Sequence, residues 1–341
     1  MKGSTTIAAR IACHHPEVLR LAFHAMMLVR DEGDIIAQTL THLRTWCDEI
    51  HVVDLGSVDD TWEIVQSVSQ RDHRVRAILR EECVYHRALR AWMYDLCRSR
   101  FRRGDWVCRA DADEFYHIPP PEFISTRLSR HESRIVTAHY DFHMTRSELR
   151  AWEEGRETIA DRAMPIEERR RHFFYTNHPE RRLWRYRPGL RWSAAHCDPP
   201  TAGLTACARI PVRHYPSRDP EQLRTRLRNR ADAHAAGHVV GHHWSETDWR
   251  AFIIDETKPR VRVWPKGEAL PQSRRPPVTP TGAVRLAQKV FYATPLVHVS
   301  DAVRAARCAR CKETSPRILV DRLQRSGVRV QPLMPSAAEP A

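Results

Sequence analysis

Asp105-Trp106-Val107-Cys108-Arg109-Ala110-Asp111-Ala112-Asp113-Glu114-Phe115 is the stretch on which the reading of this chain turns. Its apolar start, Trp106-Val107-Cys108, has the length and character of a buried strand. It runs directly into two carboxylates one residue apart. Alternate residues of an extended chain share a side, so Asp111 and Asp113 can offer hard oxygen ligands together to Mg²⁺ or Mn²⁺. Such an ion bridges to diphosphate oxygens and, as a Lewis acid, neutralises charge on a leaving nucleoside diphosphate. Taken alone, the pair reads more readily as an acidic turn closing a strand, because Asp is favoured in turns. What precedes it in the chain separates the two readings.

Working back from Asp105, strand and helix patterns alternate. Ala25 to Val29 is a continuous apolar run followed by Arg30-Asp31-Glu32-Gly33, and Ile35, Ile36, Thr39, Leu40 and Leu43 then recur at helical spacing. Ile50 to Val53 reads as a second strand, running into Asp54-Leu55-Gly56-Ser57, with Ile64, Val65 and Val68 on one face of a second helix. Val75 to Leu79 is a third strand, His86 to Phe101 a third helix, and Trp106 opens a fourth strand. Parallel strands need long crossovers, so this rhythm predicts an α/β fold with a mostly parallel central sheet and flanking helices. Ligands of such sheets sit beyond the carboxyl ends of the strands. Arg30 and Asp31, Asp54, Arg80, and Asp111 to Glu114 are therefore expected to converge on one edge.

Beyond Pro119-Pro120-Pro121 the pattern loosens. Arg134 to Phe142 and Ala208 to Tyr215 read as strands, and residues 145 to 170 as a polar helical insertion or lid. Leu183 to Trp192 resembles a hairpin, and Pro220 to Ala236 a charged helix. Six prolines between Pro259 and Pro280 suggest a linker, and a small helical tail over 281–326 follows. The expected organisation is an arm at 1–21, a ligand-binding half at 22–120, an acceptor-side half at 121–257, and a Pro-rich linker with its tail at 258–341.

Composition bounds the function classes. A hydrophobic fraction of 42% supports a real core. The apolar runs are too short to span a bilayer, and no export segment is apparent. Nine cysteines without a disulfide framework fit reduced thiols in a cytoplasmic setting. The formal net charge of +13 attracts anions of any kind. Peripheral contact with the acidic inner face of a membrane is one expectation, which co-sedimentation with acidic vesicles at low salt would register. Cys308-x-x-Cys311 lacks a second ligand pair at zinc spacing, so two reduced thiols in a tail is the plainer reading.

Three ordered segments carry a resemblance: Met27-Leu28-Val29-Arg30-Asp31-Glu32, Val52-Val53-Asp54-Leu55-Gly56-Ser57-Val58-Asp59-Asp60-Thr61, and Trp106 through Phe115. Together they resemble the nucleotide-sugar half of family 2 glycosyltransferases, in the branch with an Asp-x-Asp-Glu-Phe signature. The likeness covers about residues 22 to 120 and extends more faintly to about 240. It implies a GT-A fold, the Rossmann-like fold of nucleotide-diphospho-sugar transferases. It also implies a nucleotide-sugar donor (UDP-, GDP- or TDP-linked), a Mn²⁺ or Mg²⁺ ion, and an acceptor whose type stays open. Carried over by position, Arg30 and Asp31 would border the nucleoside pocket and Asp54 would lie near base or ribose. Gly56-Ser57 would let backbone approach the nucleotide. Asp111 would sit near ribose and metal, and Asp113 would be the firmest metal ligand. Leu55 departs from the family, where a second acid or an Asn is common, and a hydrogen bond to the base is lost with it.

Downstream, Arg213-His214-Tyr215-Pro216-Ser217-Arg218 before Pro220-Glu221-Gln222-Leu223 looks like a further segment of that branch. It makes His214 the candidate third metal ligand, with His196 as its rival and a structural histidine as the plain alternative. Transfer with inversion needs a carboxylate to deprotonate the acceptor. Glu114, Asp141 and Asp198 are the candidates, and the residues do not separate them. Trp184, Tyr186, Trp192, Trp244 and Trp249 could form a sugar platform, though burial in a core explains each as well.

Two other functions compete. One is another Mg²⁺-dependent phosphate enzyme, a nuclease or nucleotidyltransferase, built on Asp111, Asp113 and Glu114. The other is a non-catalytic basic α/β module holding nucleic acid or membrane, with strongly salt-dependent binding. Neither accounts for the Val-Arg-Asp-Glu and Asp-Leu-Gly-Ser segments, so no nucleic-acid partner is expected. No Gly-x-Gly-x-x-Gly or P-loop element is present.

Overall fold

The computed structural model describes residues 21–83, 85, 88–176, 179–192, 198–199, 201–235, 246–271 and 282–311. Four strands form its parallel half: β1 (Phe23–Val29), β2 (Glu49–Asp54), β3 (Val75–Arg80) and β4 (Trp106–Ala110), side by side in the order β3-β2-β1-β4. Helices α1 (Ile36–Leu43), α2 (Thr61–Arg71) and α3 (Ala88–Cys97) are the crossovers. Both faces of β1, β2 and β4 are covered, which explains why their apolar segments read as continuous runs rather than alternating ones. Ala25, Met27 and Val29 pack with Ile36, Leu40 and Leu43 of α1 and Val65 of α2. Met26, on the opposite side, meets Leu89, Trp92 and Met93 of α3.

The second half adds β5 (Glu114–Tyr116), α4 (Pro120–Arg127), β6 (Glu132–His143), α5 (Arg146–Glu153), α6 (Ile166–Arg169), β7 (His172–Tyr175), β8 (Arg181–Arg185), β9 (Leu204–Ser217), α7 (Pro220–Ala235) and β10 (Arg262–Val263). Helices α8 (Gly282–Ala293) and α9 (Leu296–Cys311) close the described chain. From β4 the sheet continues through β8, β6, β7 and β10, each antiparallel to its neighbour. Strand β9 runs parallel to β6 and antiparallel to β5. Its register sets His214 opposite both Glu114 of β5 and Asp141 of β6. That register carries the metal-type residues of three distant segments to one place.

Several expectations are corrected. The segment 183–192 is no hairpin: β8 lies between β4 and β6, where Leu183 and Trp184 are fully buried. Truncating a buried Trp to Ala typically costs about 3–5 kcal/mol, so this strand belongs to the core. The third helix is shorter than expected and ends at Cys97, with a 3₁₀ turn over Arg98–Arg100. The proline-rich stretch is not wholly a linker either. Within its described part Trp264 and Leu270 are buried, β10 pairs with β7, and the Trp264 indole donates to the Glu268 carbonyl at 2.8 Å. The insertion at 145–170 is partly helical, as its composition suggests, and is tied to the second half, since Arg162 reaches Asp219 at 2.8 Å and Arg213 pairs with Glu167 at 2.5 Å. His196 and Trp244 fall outside the described residues, as do the side chains of Cys308 and Cys311 in α9. Among the described residues no helix is long and apolar enough to cross a membrane.

Candidate functional site

A crevice of about 520 Å³ opens at the carboxyl ends of β1 and β4. Arg30, Asp31 and Glu32 enter it from the β1 tip, Asp111 to Glu114 from the β4 tip, and Asp141 and His214 from β6 and β9. Helix α7 presents Gln222, Arg226, Asn229, Arg230 and Ala233, positions three to four apart that share one helical face.

The acids are held by arginines. Arg182 donates to Asp111 at 2.6 Å, and Arg90 lies 3.4 Å from the other Asp111 oxygen. The same Arg182 donates to Glu114 and lies 3.2 Å from Glu180. Burial pushes the Asp111 carboxyl up, but Arg182, Arg90 and Arg109 together hold it well below the usual carboxylate range. Asp113 accepts from Arg226 at 2.8 Å and faces Nε2 of His214 at 3.3 Å. Burial opposes its ionisation as well, and His214, Arg226 and Arg218 carry it far below the ordinary value. Glu114 behaves differently. It is buried so thoroughly that desolvation outweighs Arg182 and lifts its carboxyl to about 8. Its Oε2 has no hydrogen-bond partner among the described residues.

His214 joins two carboxylates. Its Nδ1 lies 2.9 Å from Asp141 while Nε2 faces Asp113. Burial alone would favour neutral imidazole, yet Asp113 and Asp141 hold its pKa well above 6.5. A metal-binding histidine commonly donates its second nitrogen to a carboxylate, which fixes ring and tautomer. Asp141 stands where such a partner would stand. The donor set of carboxylate oxygens with one imidazole fits Mn²⁺ or Mg²⁺. His139, Asp141 and His214 also bring ligand atoms within 4.8 Å of one another.

Other expected residues lie off the crevice. Asp54 is fully buried, and its carboxylate accepts from the Gly56 and Ser57 amides at 2.9 and 2.7 Å and from the Ser57 hydroxyl at 2.6 Å. Gly56 has a φ of 83°, and a Cβ there would come within 2.7 Å of the Glu82 Cα; glycine at this turn makes room for Glu82. Arg80 donates to the Ser57 carbonyl at 2.5 Å and to Glu63 at 3.1 Å. Asp198 is 3.4 Å from both Arg134 and Arg181. Leu55, by contrast, does line the crevice, with Leu28 and Tyr85. Sequence reasoning missed Arg90, Glu180, Arg182, Arg226 and His139. The spacing of Arg226, Asn229 and Arg230 on one helix is a usable signal; for Arg182 there is none, because no local pattern shows that β8 pairs between β4 and β6.

Residues 25–182 match the model of the family described as Glycosyl transferase family 2. No curated protein sequence matches the chain significantly. Among solved structures, the mannosyltransferase PcManGT from Pyrobaculum calidifontis, in complex with GDP-Man and Mn²⁺, is 12% identical, with a TM-score of 0.37 over 64% of this chain and 65% of its own. S. aureus TarS 1-349 is 13% identical, with a TM-score of 0.34 over 63% and 68%. GalNAc-T7 with UDP, GalNAc and Mn²⁺ is 12% identical, with a TM-score of 0.32 over 69% and 55%. The chain thus spans a little under two thirds of the first of these and just over half of the third.

Proposed function

We propose, from the match of residues 25–182 to the model of glycosyl transferase family 2, that this chain transfers a sugar from a nucleoside-diphosphate donor bound in the strand-tip crevice. The reading rests on one observation above the others: Asp111 and Asp113 both line that crevice, with His214 3.3 Å from Asp113. A Mg²⁺-dependent nuclease or a purely basic binding module would leave the family match unexplained.

Asp111, Asp113 and His214 are the residues to hold Mn²⁺ or Mg²⁺, which would supply Lewis-acid neutralisation of the departing diphosphate. The protein's own groups do the remaining work. Arg90, Arg226 and Arg230 give the diphosphate a cationic wall, and Leu28, Leu55 and Tyr85 an apolar seat for the nucleoside. With the Asp54 carboxylate committed to its own turn, recognition of the base falls to Arg30 and Asp31 at the crevice mouth. Asp141 is a positioning residue acting through His214.

The acceptor hydroxyl needs a base within reach whose proton affinity suits near-neutral pH. Glu114 is the base this reading favours: it lines the crevice, Arg182 holds one of its oxygens, the other has no hydrogen-bond partner among the described residues, and its carboxyl is lifted to about 8. Asp141 is held below the ordinary carboxylate range by His214 and is the weaker base. Asp198 lies elsewhere, on Arg134 and Arg181.

Thermal unfolding tests the reading. Mn²⁺ with UDP, GDP or TDP should raise the melting temperature, since a ligand bound only to the native state adds stability by mass action. Asp113→Ala should lose that response. Stabilisation by oligonucleotides alone, equal in both proteins, would reject it.

A further inference from the structure

At the opposite, amino-terminal edge of the parallel strands lies a second group of metal-type side chains, which the transfer reading does not use. His24 of β1 pairs in register with Glu49 of β2. His51 lies two residues beyond Glu49 and so projects to the same face. Both histidines are buried, His51 completely. Their rings stack with an interplanar angle of 15° and centroids 5.9 Å apart, and Phe101 covers the pair.

The polar atoms of this pocket are not satisfied. Nδ1 of His24 and both ring nitrogens of His51 are buried without a hydrogen-bond partner among the described residues. Buried polar atoms left in this way are uncommon and need a reason. Nδ1 of His24 lies 3.6 Å from Oε2 of Glu49, and Nε2 of His51 lies 3.4 Å from that same oxygen. Around an ion with bonds of about 2.0–2.1 Å, tetrahedral ligands stand about 3.4 Å apart. The observed separations are of that size, and all three ligand atoms lie within 4.8 Å of one another.

The surroundings fix the ligands. Nε2 of His24 faces Asp105 at 3.3 Å. Asp105 is itself anchored by the Ala22 and Arg102 amides at 3.0 and 2.7 Å. A proton on Nε2 shared with Asp105 leaves Nδ1 a bare acceptor pointing at a carboxylate oxygen, an arrangement that calls for a cation between them. The carboxylate–histidine pair is also the usual support of a ligating imidazole. Glu49 is oriented by Arg100 at 2.7 and 2.8 Å and by Arg76 at 3.0 Å.

We propose that His24, Glu49 and His51 form a binding site for one zinc ion at the amino edge of the sheet, with Asp105 as the supporting carboxylate. Two imidazoles and one carboxylate are a zinc donor set. The ion would tie β1 to β2 at the end remote from the crevice, and would act on stability rather than on transfer. Arg76 and Arg100 beside Glu49 weaken the site electrostatically, so it should fill and empty with metal supply.

Co²⁺, whose visible absorption reports four-coordinate nitrogen and oxygen ligation, is the probe. The protein to use is the full chain with the crevice ligands removed by Asp113→Ala and His214→Ala, which separates this site from the transfer reading. One equivalent of Co²⁺ should bind with a four-coordinate band and be displaced by Zn²⁺. Adding His51→Gln, with folding checked by circular dichroism, should abolish the band. A band that survives His51→Gln, or no Co²⁺ bound at one equivalent, overturns the proposal. Should His51→Gln fail to fold, zinc-edge X-ray absorption on the crevice-stripped protein decides: two imidazole ligands support the site, and fewer reject it.

Discussion

The two ends of the parallel strands hold the same kinds of side chain in different states. At the carboxyl edge, Asp111, Asp113, Glu114, Asp141 and Glu180 line an open crevice with arginines interleaved, and most of the acids have a cationic partner. At the amino edge, His24 and His51 are packed against Phe101 beside Glu49, and three imidazole nitrogens have no hydrogen-bond partner among the described residues. Residue type alone does not distinguish the proposed transfer centre from the proposed metal clamp. Access does: the tips of β1 and β4 open into a ligand-sized space, whereas His24 and His51 are buried against Phe101.

Activity gives the largest way to break this contrast. Glu114→Gln should cut the turnover number by about 10²–10⁴-fold, the span a positioned base contributes, while the Mn²⁺–nucleotide melting shift persists. A modest loss of turnover, with Asp141→Asn losing more, would move the base to Asp141 and leave the crevice assignment standing.

Charge compensation comes next. Arg182→Met would leave Asp111, Glu114 and Glu180 without their shared cation. Removing one partner of a buried ionic group typically costs about 3–5 kcal/mol, and urea unfolding should show a loss of that size. Little loss would mean that Arg90 and Arg109 suffice, and that the crevice is wetter than its burial indicates.

The smallest effect concerns acid sensitivity. Nε2 of His42 accepts from the Tyr116 amide at 2.9 Å, and burial, assisted by Arg213, lowers its pKa from 6.5 to about 4. Between those values the unfolded chain binds more protons than the folded one. Stability therefore rises with pH across the window from 4 to 6.5 and levels off above it. His51, His139 and His143 are lowered in the same direction, so His42→Gln should flatten the slope by close to one proton without abolishing it. An unchanged slope in urea titrations at several pH values would show that His42 stays exposed to solvent protons.

What could be read from the chain alone follows the range of the forces involved. Strands β1, β2 and β4 and helices α1 and α2 announced themselves through local apolar runs and 3.6-residue periodicity. Asp111 and Asp113 followed from their place after β4. Tertiary structure decided the rest. Asp54 and Arg80 also sit at strand ends, but local hydrogen bonds to Ser57 turn them away from the crevice. Arg182 enters because β8 inserts between β4 and β6, a pairing between segments far apart in sequence. His214 meets Asp113 and Asp141 only through the register of β9. Local pattern names an element, but long-range pairing chooses its neighbours, and a site built from neighbours is settled only when the chain has folded.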